Sequence, residues 1–306
     1  MTTYLTGLIT WLSAEPLYAA MFTFVFALLV GSFLNVVIYR IPVMMEREWQ
    51  ESLIEEALPD SQSVDIHSTD KKDAKETFNL ATPASTCPRC QHKIRWYENI
   101  PVVSYLFLRG RCSGCKTSIS LRYPVIELLT ALLSVIAVTK FGFNTNGLAA
   151  VFFTWCLVAL TFIDIDHQLL PDRIVLPLLW LGLLINSQTS SQDSFTSLSS
   201  AVWGAALGYL ILWSVYWLFK LLTGKEGMGY GDFKLLAALG AWCGATALPL
   251  IILLSSVTGV ILAVILMLSR KHQAQNPLPF GPYLAIAGWI ALLWGDQITA
   301  AYLLML

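Results

Sequence analysis

Long apolar runs separated by short polar stretches constrain this chain more than any other feature of its sequence. About 20 apolar helical residues cross a bilayer core about 30 Å thick, and the runs approach or reach that length repeatedly. Eight candidate spans follow, at about 16–39, 123–139, 148–163, 174–186 and 201–222, two more from a run at 233–268 that breaks near 244–249, and the last at 283–306. The fourth and sixth are short. Charged residues make up 13% of the 306-residue chain, about half the share in a soluble domain, which excludes a pair of soluble domains. The formal net charge of −1 gives no sign of a nucleic-acid partner. The expected fold class is an all-α polytopic membrane protein surrounded by membrane lipid.

Basic residues set the orientation. Twelve of the nineteen Lys and Arg lie between Arg40 and Arg122; Arg173, Lys220, Lys225, Lys234, Arg270 and Lys271 fall on the same side, and Lys140 alone on the other. The positive-inside rule makes the rich side cytoplasmic and puts both termini outside. The 187–200 loop, rich in Ser and Thr without Lys or Arg, agrees. With no basic residue before Arg40, the N-terminus reads as a retained span rather than a cleaved signal. The expected division is a first span at 1–40, a cytoplasmic module at 41–122 and a membrane core at 123–306. Within the module, Met45, Trp49, Leu53 and Ala57 recur every four residues. That spacing predicts an amphipathic helix packed on its own domain or lying on the membrane interface. The charge-rich stretch at 60–76 reads as a solvated loop.

Four of the six cysteines form two C-x-x-C pairs, Cys87 with Cys90 and Cys112 with Cys115. Two residues between thiolates let one tight turn aim both sulfurs at a common point. Two such turns complete the tetrahedral S₄ set that suits Zn²⁺. In a reducing cytoplasm the disulfide alternative is disfavoured, and four sulfurs leave no open position, so the expected ion is structural. His92 reads as a surface residue, and Cys156 and Cys243, inside spans, as packing residues.

Ionisable groups beside apolar spans are costly and are functional candidates. One cluster follows the third span, FIDIDHQLLPD, with Asp164, Asp166 and Asp172; another follows the fifth, KEGMGYGDFK, with Asp232. Both fall on the cytoplasmic side at matching depth. Paired carboxylates there suit acid–base chemistry, one taking a proton and the other giving one. Asp172 after Pro171 also suits a helix cap, as does Asp232. Asp164 and Asp166 stand two apart and face different ways on a helix, and periodicity does not choose between them. Gly204 and Gly208 permit a close helix contact, within one chain or between two.

Six elements resemble the type IV prepilin peptidases in family order: GSFLNVVIYRIP at 31–42, the cysteine quartet with ENIPVVSYLFLRGRC between its pairs, RYPVIEL at 122–128, FIDIDHQLLPD, GMGYGDFK and PFGPYLAIAG at 279–288. The resemblance implies a membrane aspartic endopeptidase of the bacterial inner membrane. Its catalytic aspartates would be Asp164, eight residues before Asp172, and Asp232 of the GxGD element, with Asp166 and Asp172 supporting. The implied substrates are type IV prepilins and type II secretion pseudopilins, whose short basic leader stays cytoplasmic while an apolar helix enters the bilayer. It further implies N-methylation of the new N-terminus with S-adenosylmethionine. No GxGxxG turn marks a site for that methyl donor, and Asn35, Arg40, Arg122 and Glu127 are candidates for it or for plain anchoring roles. A transporter lined by aspartates, or a zinc-ribbon assembly factor, are the alternatives from other classes.

Overall fold

A computed structural model describes residues 13–57, 78–188, 194–225, 227–268 and 279–305. Helix α1 (Pro16–Ala57) is one continuous helix of 42 residues, about 63 Å long at 1.5 Å per residue. Pro42 lies inside it, so the chain does not leave the helical path where the first span was expected to end. The expected amphipathic helix is therefore the outer end of α1. Its apolar stripe is not packed as a whole: Met45 is part-buried against the core, while Trp49 and Leu53 are exposed. Glu48 on this outer end pairs with Arg173 at 2.6 Å. The side chain of Ala57 and the loop expected at 60–76 lie outside the described residues.

The remaining helices are α2 (Val103–Phe107), α3 (Arg122–Phe141), α4 (Thr145–His167), α5 (Asp172–Asn186), α6 (Leu198–Thr223), α7 (Tyr230–Cys243), α8 (Leu248–Leu268) and α9 (Gly281–Leu303). Among the described residues, α1, α3, α4, α6, α8 and α9 are long and apolar enough to cross a membrane, the mark of a multi-pass membrane protein. The expected fourth and sixth spans, α5 and α7, have only 15 and 14 residues. At about 21–23 Å they are shorter than the hydrocarbon core.

Helix α7 is short because it is an interior element. From Asp232 to Trp242 every side chain except Lys234 is buried, against α5, α6 and α9. Small residues bring α6 and α7 together. A Cβ on Gly204 would run into the Gly240 carbonyl and one on Gly240 into the Gly204 carbonyl, while one on Gly208 would lie 2.7 Å from the Leu236 carbonyl oxygen. The Gly204/Gly208 spacing thus serves a contact within the chain. Gly244 (φ 84°) then ends α7 and turns the chain toward α8. A second group packs α1 on α3 and α4, and a Cβ on Gly31 would lie 2.7 Å from Glu127 Cα. At the end away from the cysteines, Asn186 closes the core. It donates to the Ala241 and Trp242 carbonyls and accepts from the Phe195 and Thr196 N–H groups.

Candidate active site and cysteine centre

Asp164 stands in the last turn of α4. That helix ends at Gln168, a left-handed residue (φ 52°) whose N–H bonds back to the Asp164 carbonyl at 2.9 Å. Asp232 stands in the first turn of α7, behind Gly229. The end of one helix and the start of another meet at the same end of the bundle. Both acids are buried, at 5% and 8% exposure, and Asp232 lies within electrostatic reach of Asp164. Among the described residues neither joins an ion pair. Asp164 instead accepts the Gly281 N–H at 3.0 Å, from the first residue of α9.

Small residues and one leucine shape the space between them. A Cβ on Gly231 would lie 2.8 Å from Leu170 Cβ, and one on Gly281 would lie 2.6 Å from Asp164 Oδ2 and 3.2 Å from Leu170 Cδ2. Leu170 therefore fills the gap between the two glycines. Gly281 belongs to the PFGPY element, to which the sequence assigned no role; a Gly-Pro pair opening an apolar run was the only sign of it.

The other acids of the two motifs point elsewhere. Asp166 forms an ion pair with Arg122 of α3, one arm at 2.8 Å. Asp172 is the first residue of α5, with Pro171 at the cap position, and it accepts both arms of a bond from Lys234 at 2.8 and 2.7 Å.

Near the same end, the four cysteine sulfurs lie within 4.8 Å of one another, with Cys87–Cys115 at 3.8 Å and Cys90–Cys112 at 4.0 Å. A tetrahedron of sulfurs about 2.3 Å from a zinc ion has edges of about 3.8 Å, so the set fits such an ion. Two matching turns build it. Cys87 N–H bonds to the His92 carbonyl and Cys112 N–H to the Thr117 carbonyl, and Gln91 and Lys116, each following a second cysteine, take φ of 56° and 59°. Hydrogen bonds from Thr117 bring the Cys115 thiol down to about 6. Cys90, in spite of a lowering bond from the His92 backbone, is pushed up to about 11 by desolvation and its neighbouring thiols. A cation at the centre would remove that conflict.

His92 ties the turns together: its Nε2 lies 3.1 Å from both Glu98 and the Ser113 hydroxyl. The Arg95 N–H, with Ser113 and His92, holds the Glu98 carboxyl down at about 2.

The four candidates for the methyl donor have intramolecular partners. Arg40, buried, donates to the Asn79 and Pro83 carbonyls at 2.7 and 2.6 Å. Glu127 accepts the Val102 N–H at 2.8 Å. Asn35 bridges the Gly31 and Tyr123 carbonyls, and Arg122 is held by Asp166. Arg40 and Glu127 brace the cysteine module against α1 and α3, while Asn35 and Arg122 tie helices to one another; so engaged, the four do not fit as a donor set for a bound methyl donor.

A buried pair of aspartates supplied by two helices of a membrane bundle, beside a four-cysteine centre, is the class of site this fold defines. Residues 25–141 match the Bacterial Peptidase A24 N-terminal domain and residues 151–264 match the Type IV leader peptidase family. Proteins named prepilin leader peptidase/N-methyltransferase are similar along nearly the whole chain. The one from Stutzerimonas stutzeri is 56% identical, covering 96% of this chain and 97% of its own. Those from Aeromonas hydrophila, 58% identical with 92% of each chain covered, and Pseudomonas aeruginosa, 56% identical with 97% of each covered, are comparable. No solved structure matches. The chain belongs to the type IV leader peptidase family.

Proposed function

We propose that this protein removes the leader from type IV prepilins and type II secretion pseudopilins, with Asp164 and Asp232 as the catalytic pair, and then N-methylates the new terminus. The observation that carries the peptidase reading is two buried carboxylates, from α4 and α7, within electrostatic reach of each other and, among the described residues, with no ion pair to a base. One carboxylate takes a proton from water as its oxygen attacks the scissile carbonyl. The other, protonated, donates to the carbonyl oxygen; as the tetrahedral intermediate collapses, the first passes the proton it took from water to the leaving amine, and the second regains its own from the intermediate's hydroxyl. The Gly281 N–H fixes Asp164 for this work, and no acyl-enzyme forms.

Methylation rests on the relatives' names. S-adenosylmethionine would supply the methyl group; no residue is assigned to bind it. Cys87, Cys90, Cys112 and Cys115 would hold a structural Zn²⁺, which contributes folding energy to the module rather than chemistry. The distribution of basic residues supports an inner-membrane location with the module and the site on the cytoplasmic side.

The test incubates purified protein with a prepilin and labelled S-adenosylmethionine, scoring leader loss and methyl incorporation separately. Asp164→Asn and Asp232→Asn are each expected to abolish cleavage while still methylating a pre-cleaved pilin. Full cleavage by either variant refutes the pair.

A further inference from the structure

We infer that the α2 segment of the cysteine module lies in the bilayer interface, as an apolar wedge beside α3, rather than in water. Depth comes first. The Val102 N–H, immediately before α2, donates to Glu127, five residues inside α3 and so about 7.5 Å along its axis from Arg122. Arg122 itself marks the edge of the bundle, paired with Asp166 in the last turn of α4. At the level of Glu127 the neighbouring surface is the span of α1, since Gly31 packs on Glu127 Cα.

Chemistry agrees with depth. The segment reads IPVVSYLFL from Ile100 to Leu108. Phe107 is 84% exposed and Leu106 69%, in line with exposed Leu121 and Tyr123 where α3 begins. Its place is fixed: the Tyr105 hydroxyl lies 3.4 Å from the Ile119 carbonyl and Ile119 N–H bonds to Gly110 at 2.7 Å, tying α2 to the strand-like run that enters α3. The segment thus spans from the Glu127 level up to the start of that helix.

The occupant of this face is lipid. On α3, a helix long and apolar enough to cross a membrane, Val125 and Leu128 are exposed as well. From Phe78 to Arg122 seven of the eight charged side chains are basic and only Glu98 is acidic, a balance that suits anionic headgroups. Interfacial helices bury their apolar face about 5–10 Å into the boundary between headgroups and acyl chains, a range that a segment anchored inside the first turns of α3 can enter. Independently of the reaction proposed above, the wedge would hold the module at a fixed height over the bundle.

The test places an environment-sensitive fluorescent amino acid at Phe107, and separately at Trp49 on the outer end of α1, in full-length protein in phosphatidylcholine–phosphatidylglycerol nanodiscs. Nitroxide at carbon 5 of the lipid chains is compared with aqueous iodide. At 107 the lipid quencher is expected to remove most of the fluorescence and iodide little, with the order reversed at 49. A label at 107 that iodide quenches as readily as at 49 overturns the inference. So does one shielded from both quenchers, which would mean that protein covers the face. Bound metal per chain, measured on each labelled protein, verifies that the module is folded; if the label at 107 unfolds it, the same readings at Leu106 decide.

Discussion

Adding one methyl group at Gly281 tests the geometry of the site more sharply than removing an acid. In Gly281→Ala the new Cβ stands 2.6 Å from Asp164 Oδ2 and 3.1 Å from its Cγ, the first about 0.8 Å inside ordinary van der Waals distance. Leu170 Cδ2, at 3.2 Å on the other side, blocks an easy escape. Either the carboxylate swings away or α9 recoils. If it swings, Asp164 loses the Gly281 N–H, a bond to a charged group worth about 1.5–3 kcal/mol. If α9 recoils, overpacking costs about 1–3 kcal/mol, and a shift of about 1 Å in a catalytic group can cost about 100-fold in rate. Both routes lead to leader removal slowed about 10- to 100-fold. The assay is the initial rate of leader loss from a purified prepilin in detergent, with methyl transfer to a pre-cleaved pilin and the thermal midpoint as companions. Methylation is expected to hold. Wild-type cleavage would refute the reasoning, and so would equal losses of cleavage and methylation with a lowered midpoint, which would mark a folding defect.

Other consequences are separable from this one. Asp166→Asn breaks a part-exposed ion pair with Arg122, worth about 1 kcal/mol or less at such a site; cleavage should persist where Asp164→Asn has none, and loss of cleavage would move the catalytic role to Asp166. Asn186→Ala strands the backbone groups of Ala241, Trp242, Phe195 and Thr196. Denaturation in mild detergent should show about 2–4 kcal/mol of lost stability, with the KM for prepilin unchanged because the residue lies at the far end of the bundle. After chelation, at pH 7, Cys115 with its pKa near 6 is mostly thiolate and Cys90 near 11 is mostly thiol. Iodoacetamide should therefore modify Cys115 first, slowing about tenfold per pH unit below 6, while the metal-loaded protein protects both. Equal labelling of the two, with circular dichroism showing the module still folded after chelation, would contradict the hydrogen-bond assignment at Thr117.

The sequence made much of this legible because bilayers and metals impose simple rules. Run length marked the helices and basic residues marked one end. The spacing of Cys87, Cys90, Cys112 and Cys115 stood for a tetrahedron before any sulfur was placed. Less readable was the path of α1, where a change from apolar to charged residues suggested an ending that the helix does not make. Alternation left Asp164 and Asp166 equivalent; only the resemblance favoured Asp164, and the fold turns it inward to Gly281 and Asp166 outward to Arg122. That Gly281 bond joins residues 117 apart, and no periodicity records a contact so distant.

Helix α7 was the hardest to read and explains the most. Apolar on every side, it read as a short sixth span, because composition does not distinguish lipid from protein as surroundings. The glycine contacts fix its height. Gly204 meets Gly240 and Gly208 meets Leu236, an antiparallel register that places Asp232 level with Leu212 of α6. The tilted ring contact of Tyr216 with Tyr230, centroids 5.3 Å apart, agrees with it. Helix α6 runs on to Thr223, eleven residues and about 16 Å beyond that level. A helix of ordinary membrane length in place of α7 would carry its first turn up to the end of α6. At 14 residues it begins about two and a half turns lower, and this recess is what buries Asp232 beside Asp164 while Lys220, near the end of α6, remains outside it.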